Sequence, residues 1–484
     1  MKNLLLAAGF VISAVVTAAA TDSRFVDAGS PVDINSNSPD GRIHRTMFTE
    51  LMPSDHIFSG PWWRGDAGMG NWWGARTVLD EDGIEITASY LSNIAGNVTG
   101  GKTRGFTYAD NFSFGAILDM YKLVGWQGAN ITVSGLNRDG SNVSARNIGN
   151  QFTVQQVYGG SAIMFYALFL EQKLLHDKIT IKVGRFATGD DFASSPIYWL
   201  YMNNGIDGNP QSLPVNSQFS AYPWAVWGAK LRFDPTPEFY AQFGAYQVSD
   251  RIFNRNYHGL DWSIRQNDGL MLISQYGWTP ELFKRPVPAA STNDGKTVAD
   301  GKAVADGKAA KEVVPTTMKG YPGHYWFGTY WSSWEYPQFG TATKATNNYG
   351  FYWHMDQMVF QETPGSDQGL TLWSAFVYAP QQNMAKLPLE VNAGAIYKGL
   401  IPGRDADYSC LGLVYGKFSK NYARTVNAGG DGYPSYEIVL EANYKIQLNK
   451  FAFVQPDVQY VINPGGTGNL GNALVLGAQI GVTF

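Results

Sequence analysis

The chain has 484 residues, too many for one ordinary compact core, and its formal net charge of −4 argues against a nucleic-acid partner. Aromatics make up 14% and there are 54 Gly, a mix that suits strands, glycine-rich turns and aromatic girdles. The single cysteine, Cys410, excludes an internal disulfide and a cysteine-based metal site, and reads as one buried thiol.

Met1 to Ala20 reads as a secretory signal, with Lys2 at its start, an apolar run from Leu4 to Val16, and small residues Ala18 to Ala20 at a cleavage site. No cysteine follows the run, which argues against a lipoprotein anchor. No later window reaches the ~18 apolar residues of a spanning helix. An exported chain of this kind enters a membrane only as a closed barrel. Residues 21–83 form an N-terminal segment expected on the periplasmic side. Thr21 to Ser59 is polar and weakly patterned, and Pro61 to Ile84 concentrates Trp62, Trp63, Trp72 and Trp73. The tryptophans are expected to pack against the barrel mouth, with an interface anchor or a pore plug as the functional alternatives, and Ala75 to Asp82 to form a short helix.

From Ile84 the apolar residues alternate with polar ones. Ile84, Ile86, Ala88 and Tyr90 take one face, and Glu85, Thr87 and Ser89 the other. Strands are expected at Ile84–Asn97, Tyr108–Tyr121, Ala129–Leu136, Ser161–Lys173, Lys178–Phe186, Trp224–Phe233 and Phe239–Val248. Short links such as His176-Asp177 alternate with long ones, above all Asn137 to Gly160 and Ala187 to Tyr222. Short turns suit the periplasmic end of a membrane barrel and long loops the outside. The second half keeps the rhythm, with strands at Gly269–Trp278, Tyr325–Trp334, Tyr349–Phe360, Gly369–Tyr378 and Leu389–Lys398. Others fall at Tyr408–Phe418, Ser435–Leu448 and Phe451–Ile462. The last strand, Ala473–Phe484, carries apolar residues on every second position and ends on an aromatic. That is the habit of a strand that closes on the first and removes the sheet edges. The fold expected over 84–484 is an all-β, transmembrane antiparallel β-barrel of the outer-membrane porin type, with about sixteen strands. Within it, 291–311 repeats Asp-Gly-Lys at Asp294, Asp300 and Asp306 and reads as a disordered periplasmic insertion.

Catalytic signals are weak. Gly466, Gly468 and Gly471 spell GxGxxG, but a period-two strand follows instead of the helix a dinucleotide site needs. Asp405 and Asp407 read as a solvated turn, and the six histidines show no ligand spacing. No cofactor, metal or enzymatic activity is expected.

Charged strand residues belong in the lumen or at the rims, because Arg or Lys on the lipid face near the midplane costs about 2–4 kcal/mol. Alternation turns Glu171, Lys182, Arg232, His354, Asp356, Glu437, Glu441 and Asp457 inward. A lumen of mixed sign with amides and aromatics suits a neutral, hydroxyl-rich solute, held weakly enough to be released. The two long links add Arg138, Arg146, Asp190, Asp191, Trp199 and Asn203, which come together if either loop folds inward. With Glu171, Lys182, Arg232, Asp356 and Glu437, these are the candidate solute-contacting residues. Arg185 shares parity with Ile181 and Val183, so it lies either at a rim or on a bulge that turns it inward.

Several stretches taken in order resemble the OprB family of carbohydrate-selective porins. They are GNWWGARTVLDEDGI near the start, KVGRFATGDDF, YPWAVWGAKLRF, YPGHYWFGTYW, SDQGLTLW, GLIPGRDADYSCLGLVYG and VQPDVQYVINPGG, followed by the closing NALVLGAQIGVTF. The resemblance covers Trp62 to Phe484, and the doubled Trp72-Trp73 and the Asp-Gly-Lys insertion depart from it. It implies a sixteen-stranded outer-membrane barrel that passes glucose and similar sugars by facilitated diffusion, with extracellular loops folded inward to narrow the pore. The expected location is the outer membrane of a Gram-negative bacterium. The expected partners are neutral sugars in transit, outer-membrane lipid and lipopolysaccharide, and the barrel assembly machinery. The competing readings are a general small-solute porin, a membrane-barrel hydrolase with a Ser/His or Asp/His cluster near a rim, and a soluble secreted lectin.

Overall fold

The computed structural model describes residues 67–288 and 316–484. The expected leader, the polar stretch with Trp62 and Trp63, and the Asp-Gly-Lys insertion lie outside the described residues.

The alternating segments all form strands. The first eight are β1 (Ile84–Gly101), β2 (Gly105–Asp119), β3 (Ala129–Gly140), β4 (Ala162–Leu174), β5 (Ile179–Phe186), β6 (Val226–Thr236), β7 (Phe239–Val248) and β8 (Gly269–Trp278). Then come β9 (Glu281–Pro288), β10 (Thr316–Ser332), the two-residue pieces β11 (Tyr336–Pro337) and β12 (Lys344–Ala345), and β13 (Asn348–Gln361). The last six are β14 (Gly369–Tyr378), β15 (Leu389–Lys398), β16 (Tyr408–Lys417), β17 (Tyr436–Gln447), β18 (Ala452–Ile462) and β19 (Gly471–Thr483). Seventeen of them share one antiparallel sheet. β9 continues β8 along the same partner, β10, so sixteen strands run round the circumference. β1 closes onto β19 from Ser89↔Thr483 to Gly101↔Gly471. Closure satisfies the backbone groups an open edge would leave bare, which hydrocarbon would not tolerate.

Short turns and the described ends of the chain lie at one end of the barrel, called the lower end. Long loops lie at the upper end. The His176-Asp177 turn is made by Leu175, His176 and Asp177, all with positive φ, which lets β4 and β5 reverse within a few residues. The period-two pattern reads out as expected: on β2, Phe106, Phe112 and Phe114 are exposed, while Thr107, Ala109 and Asn111 are buried. At the lower end Phe239 stacks on Trp278 with ring centres 5.9 Å apart, and Trp278 meets Tyr325 at 5.5 Å, part of an outer aromatic band.

Below the barrel the structure adds something the alternation did not reveal. The strand expected to begin at Tyr325 begins at Thr316, and its extra residues pair with β9 from Thr316↔Pro288 to Pro322↔Glu281. The helix spans Ala75–Glu81 at the lower mouth. Arg76 donates to the backbone oxygen of Phe484 at 2.6 Å and lies over the Trp72 ring at 4.9 Å, which places Trp72 against the barrel mouth.

Arg185 keeps the outward parity of Ile181 and Val183, with no bulge in the β4–β5 register. It lies at the upper rim, where loop 249–268 folds down over the outside of the wall. Its guanidinium donates to the carbonyls of Asp261 (2.8 Å) and Ala225 (3.1 Å).

Candidate functional site

Both long upper links turn into the lumen instead of covering the mouth. Loops 141–161 and 187–225 bring many backbone amides inside the barrel, and buried amides need acceptors. The inner wall supplies them as glutamates. Glu437 on β17 accepts from the amides of Gln151 (2.8 Å), Phe152 (2.8 Å) and Gly465 (2.6 Å). Glu441, four residues on, accepts from Met202 (2.7 Å) and Asn203 (3.0 Å). Glu390 on β15 accepts from Ser212 at 2.6 Å and Gln211 at 3.2 Å. Period two sets such side chains on the lumen face, so one strand, β17, pins both inward loops.

A second anchor is ionic. Asp191 lies between Lys182 on β5 (3.0 Å) and Lys230 on β6 (2.7 Å), and all three side chains are fully buried. Lys182 also sits over the rings of Phe169 and Phe186 at 4.2 and 4.3 Å. This clamp fixes the start of loop 187–225 against the wall it has just left.

The clamp positions its neighbour, Asp190. Tyr166 donates its hydroxyl to Asp190 at 2.5 Å, and the Tyr166 and Tyr222 rings meet edge to face with centres 4.7 Å apart. Tyr222 donates to Asn111 Oδ1 at 3.0 Å; Arg138 donates to the same oxygen at 3.0 Å and lies over the Tyr222 ring at 4.9 Å. Two cavities meet here. The upper one, of 50 Å³, is lined by Trp199, Asp207 and Asn209 together with Asp190 and Tyr222. The lower one, of 320 Å³, is lined by Glu85, Ser89, Ser113, Lys182 and again Asp190 and Tyr222. Asp190 and Tyr222, common to both linings, form the narrowing between the two cavities. A carboxylate and two phenols line it, with the buried Arg138 guanidinium stacked on Tyr222, a set able to exchange hydrogen bonds with hydroxyls and to cover an apolar ring face.

The candidate residues from the sequence divide by place. Asp190, Arg138 and Trp199 lie at or beside the narrowing, and Lys182 and Asp191 support it from behind. Glu171 lines a further lower cavity of 390 Å³ beside Asp119 and Lys122. Arg232 lies near the lower end, paired with Asp234 at 2.7 Å and over the Tyr240 ring at 4.0 Å. Asp356 lies on another sector of the wall, 2.8 Å from His354. Arg146 is exposed on the turn Ser144–Ile148, away from the narrowing. Asn203 and Glu437 are fully buried among loop contacts and line neither cavity that meets at the narrowing; Asn203 donates to Gln459 at 2.9 Å. Their geometry is that of loop anchors, because every contact they make is to the wall or to loop backbone.

Sequence reasoning passed over Tyr222 and Tyr166. Tyr222 stands at the border of loop and strand, where no periodicity assigns a face. Tyr166 is the unpaired residue of a bulge in the β3–β4 register, which breaks the parity between it and Glu171. The Asp405-Asp407 turn is structural: Asp407 accepts from Arg404 Nε (2.7 Å), Tyr444 (2.7 Å) and the Gln447 amide (2.9 Å). Cys410 is buried in the wall.

Known proteins agree with this architecture. The family model described as "Carbohydrate-selective porin, OprB family" matches residues 103–484. The chain is 25% identical over 451 residues to Porin B of Pseudomonas aeruginosa, covering 86% of this chain and 91% of that one. It is 23% identical over 443 residues to the "Putative porin QuiX" of Acinetobacter baylyi, covering 86% and 92%. The high-pH structure of Pseudomonas putida OprB superposes with a TM-score of 0.76 at 22% identity, covering 88% of this chain and 100% of that one. The low-pH structure gives 0.54 at 19% identity, covering 87% and 99%. The structural likeness carries the fold, a closed barrel. The family match carries the activity, a channel and not an enzyme: the chain belongs to the OprB family of carbohydrate-selective porins.

Proposed function

We propose that the chain sits in the outer membrane of a Gram-negative bacterium and passes glucose and similar neutral sugars passively into the periplasm. The observation that carries this reading is the meeting of two lumen cavities at Asp190 and Tyr222. A sugar sliding through trades water for the Asp190 carboxylate and the Tyr222 hydroxyl, and lays its C–H face on the aromatic rings. Arg138 orients Tyr222, Trp199 lines the approach, and Glu171 meets the solute on the exit side. Lys182, Asp191, Asn203 and Glu437 keep the two inward loops in place. Each contact stays weak because the channel must release what it binds.

The outer wall supports contact with membrane lipid and with lipopolysaccharide in the outer leaflet, through exposed side chains such as Phe233, Phe243, Tyr276 and Leu476. The closing strand with its aromatic end supports recognition by the barrel assembly machinery.

Liposome swelling with the purified full chain tests the reading. Glucose is expected to enter faster than a neutral amino acid of similar size. Equal rates for all small neutral solutes identify a general small-solute porin instead.

A further inference from the structure

A second group of side chains faces the lumen on the wall opposite the narrowing, and the sugar passage makes no use of it. On the paired strands β10 and β13, His324 stands directly across from Asp356, and His354 lies two residues from Asp356 on the same face. His354 Nε2 is 2.8 Å from Asp356 Oδ2, and His324 Nδ1 is 3.9 Å from the same oxygen. One ligand atom from each of the three residues lies within 4.8 Å of the others. Both imidazoles are buried, while the Asp356 side chain keeps 17% of its surface exposed and opens the group to the lumen.

The outer nitrogens of both rings are already held. His354 Nδ1 meets the Tyr198 hydroxyl at 2.7 Å, and His324 Nε2 meets the Tyr240 hydroxyl at 3.0 Å. Trp326 stacks on His354 with ring centres 5.0 Å apart. A metal-ligating histidine characteristically gives its second ring N–H to an outer acceptor, which fixes tautomer and orientation. Here each ring has such an oxygen behind it and its other nitrogen turned toward the carboxylate.

We propose that His324, His354 and Asp356 bind one divalent transition-metal ion of the zinc class, with the remaining coordination position open to lumen water. Two imidazoles and one carboxylate match that class, which takes such ligands at ~2.0–2.2 Å, and disfavour Mg²⁺ and Ca²⁺, which want oxygen alone. Small side-chain rotations draw the three ligand atoms onto one ion. The ion takes the place of the proton between His354 Nε2 and Asp356, and that proton moves to Nδ1, where the Tyr198 hydroxyl accepts it. The nearby cation, Arg232, is matched by Asp234 at 2.7 Å and does not oppose the ion with an uncompensated charge. Binding also tethers the inward loop, because Tyr198 lies in the turn Pro196–Leu200, whose Trp199 lines the upper cavity.

Cobalt(II) is the probe, titrated into the full chain in detergent with no added histidine tag. The expected result is a visible absorption band that saturates at one ion per chain, is displaced by Zn²⁺ and is indifferent to excess Mg²⁺. His324→Gln and Asp356→Asn are each expected to abolish the saturating band. Tyr240→Phe, which removes only the outer oxygen, is expected to weaken binding about 10- to 100-fold. Migration of the unheated protein on gels verifies that each variant barrel is closed. If a ligand variant fails to close, Tyr240→Phe decides. An unsubstituted protein with no saturating band, a His324→Gln protein that keeps it, or a Tyr240→Phe protein of unchanged affinity overturns the assignment.

Discussion

Nζ of Lys230 stands 2.7 Å from Oδ1 of Asp191, and neither side chain has any exposed surface. Lys182 occupies the other carboxylate oxygen at 3.0 Å. Two cations and one anion are therefore held out of water at the root of the inward loop. Removing one partner of a buried ion pair leaves an uncompensated charge and costs about 3–5 kcal/mol. Asp191→Ala is accordingly expected to lower the temperature at which the folded form is lost on unheated-versus-heated gels, and to loosen loop 187–225. A transition at the unsubstituted temperature would show that the clamp contributes little.

Asp190 lies next to Asp191 and does different work. Its carboxylate accepts from Tyr166 and lines both cavities. Asp190→Ala is expected to leave barrel stability nearly unchanged and to raise the glucose concentration that half-saturates flux about tenfold, equivalent to ~1.4 kcal/mol. Salt conductance should change much less. Parallel sugar-flux and conductance measurements on the reconstituted variant check this, and unchanged flux for every sugar removes Asp190 from the passage.

Leu476 on β19 keeps 51% of its surface exposed on the outer wall. Arg at the midplane of such a wall costs about 2–4 kcal/mol. Leu476→Arg is expected to reduce the fraction that reaches the heat-modifiable folded form in bilayers. Normal assembly would mean that this position does not face lipid.

The loop that folds over the outside of the rim carries a pH dependence of its own. Asp261 accepts from Ser263 Oγ at 2.5 Å and from Arg251 Nε at 3.1 Å. The Ser263 hydrogen bond, aided by Arg251, lowers its carboxyl to about 2. The unfolded value is about 3.9. A carboxyl depressed in the folded state stabilises that state fully above the unfolded value, and the effect fades as pH falls from about 4 through about 2. Carboxyl-carbon NMR of labelled protein is expected to give Asp261 a midpoint near 2, moving upward in Arg251→Ala. A midpoint near 4 in the unsubstituted protein contradicts the network.

The sequence by itself determined the barrel. Period-two alternation reports which face of a strand meets lipid, and the membrane enforces that report along the strands, because a charge on the wrong face is expensive. Gly369–Tyr378 and Leu389–Lys398 are read from that pattern and recur as β14 and β15 with the same limits. The same alternation turned Glu437 and Asp356 inward without saying what either would meet. That was left to tertiary structure, since lumen partners come from other strands and from loops with no period. Glu437 meets the amides of Gln151 and Phe152, nearly three hundred positions earlier in the chain. His324 and Asp356 become neighbours only through the register of β10 on β13. Tyr222 comes to line the same cavities as Asp190 because the Asp191 clamp and the wall glutamates bend a loop inward, and packing, not periodicity, selects that bend.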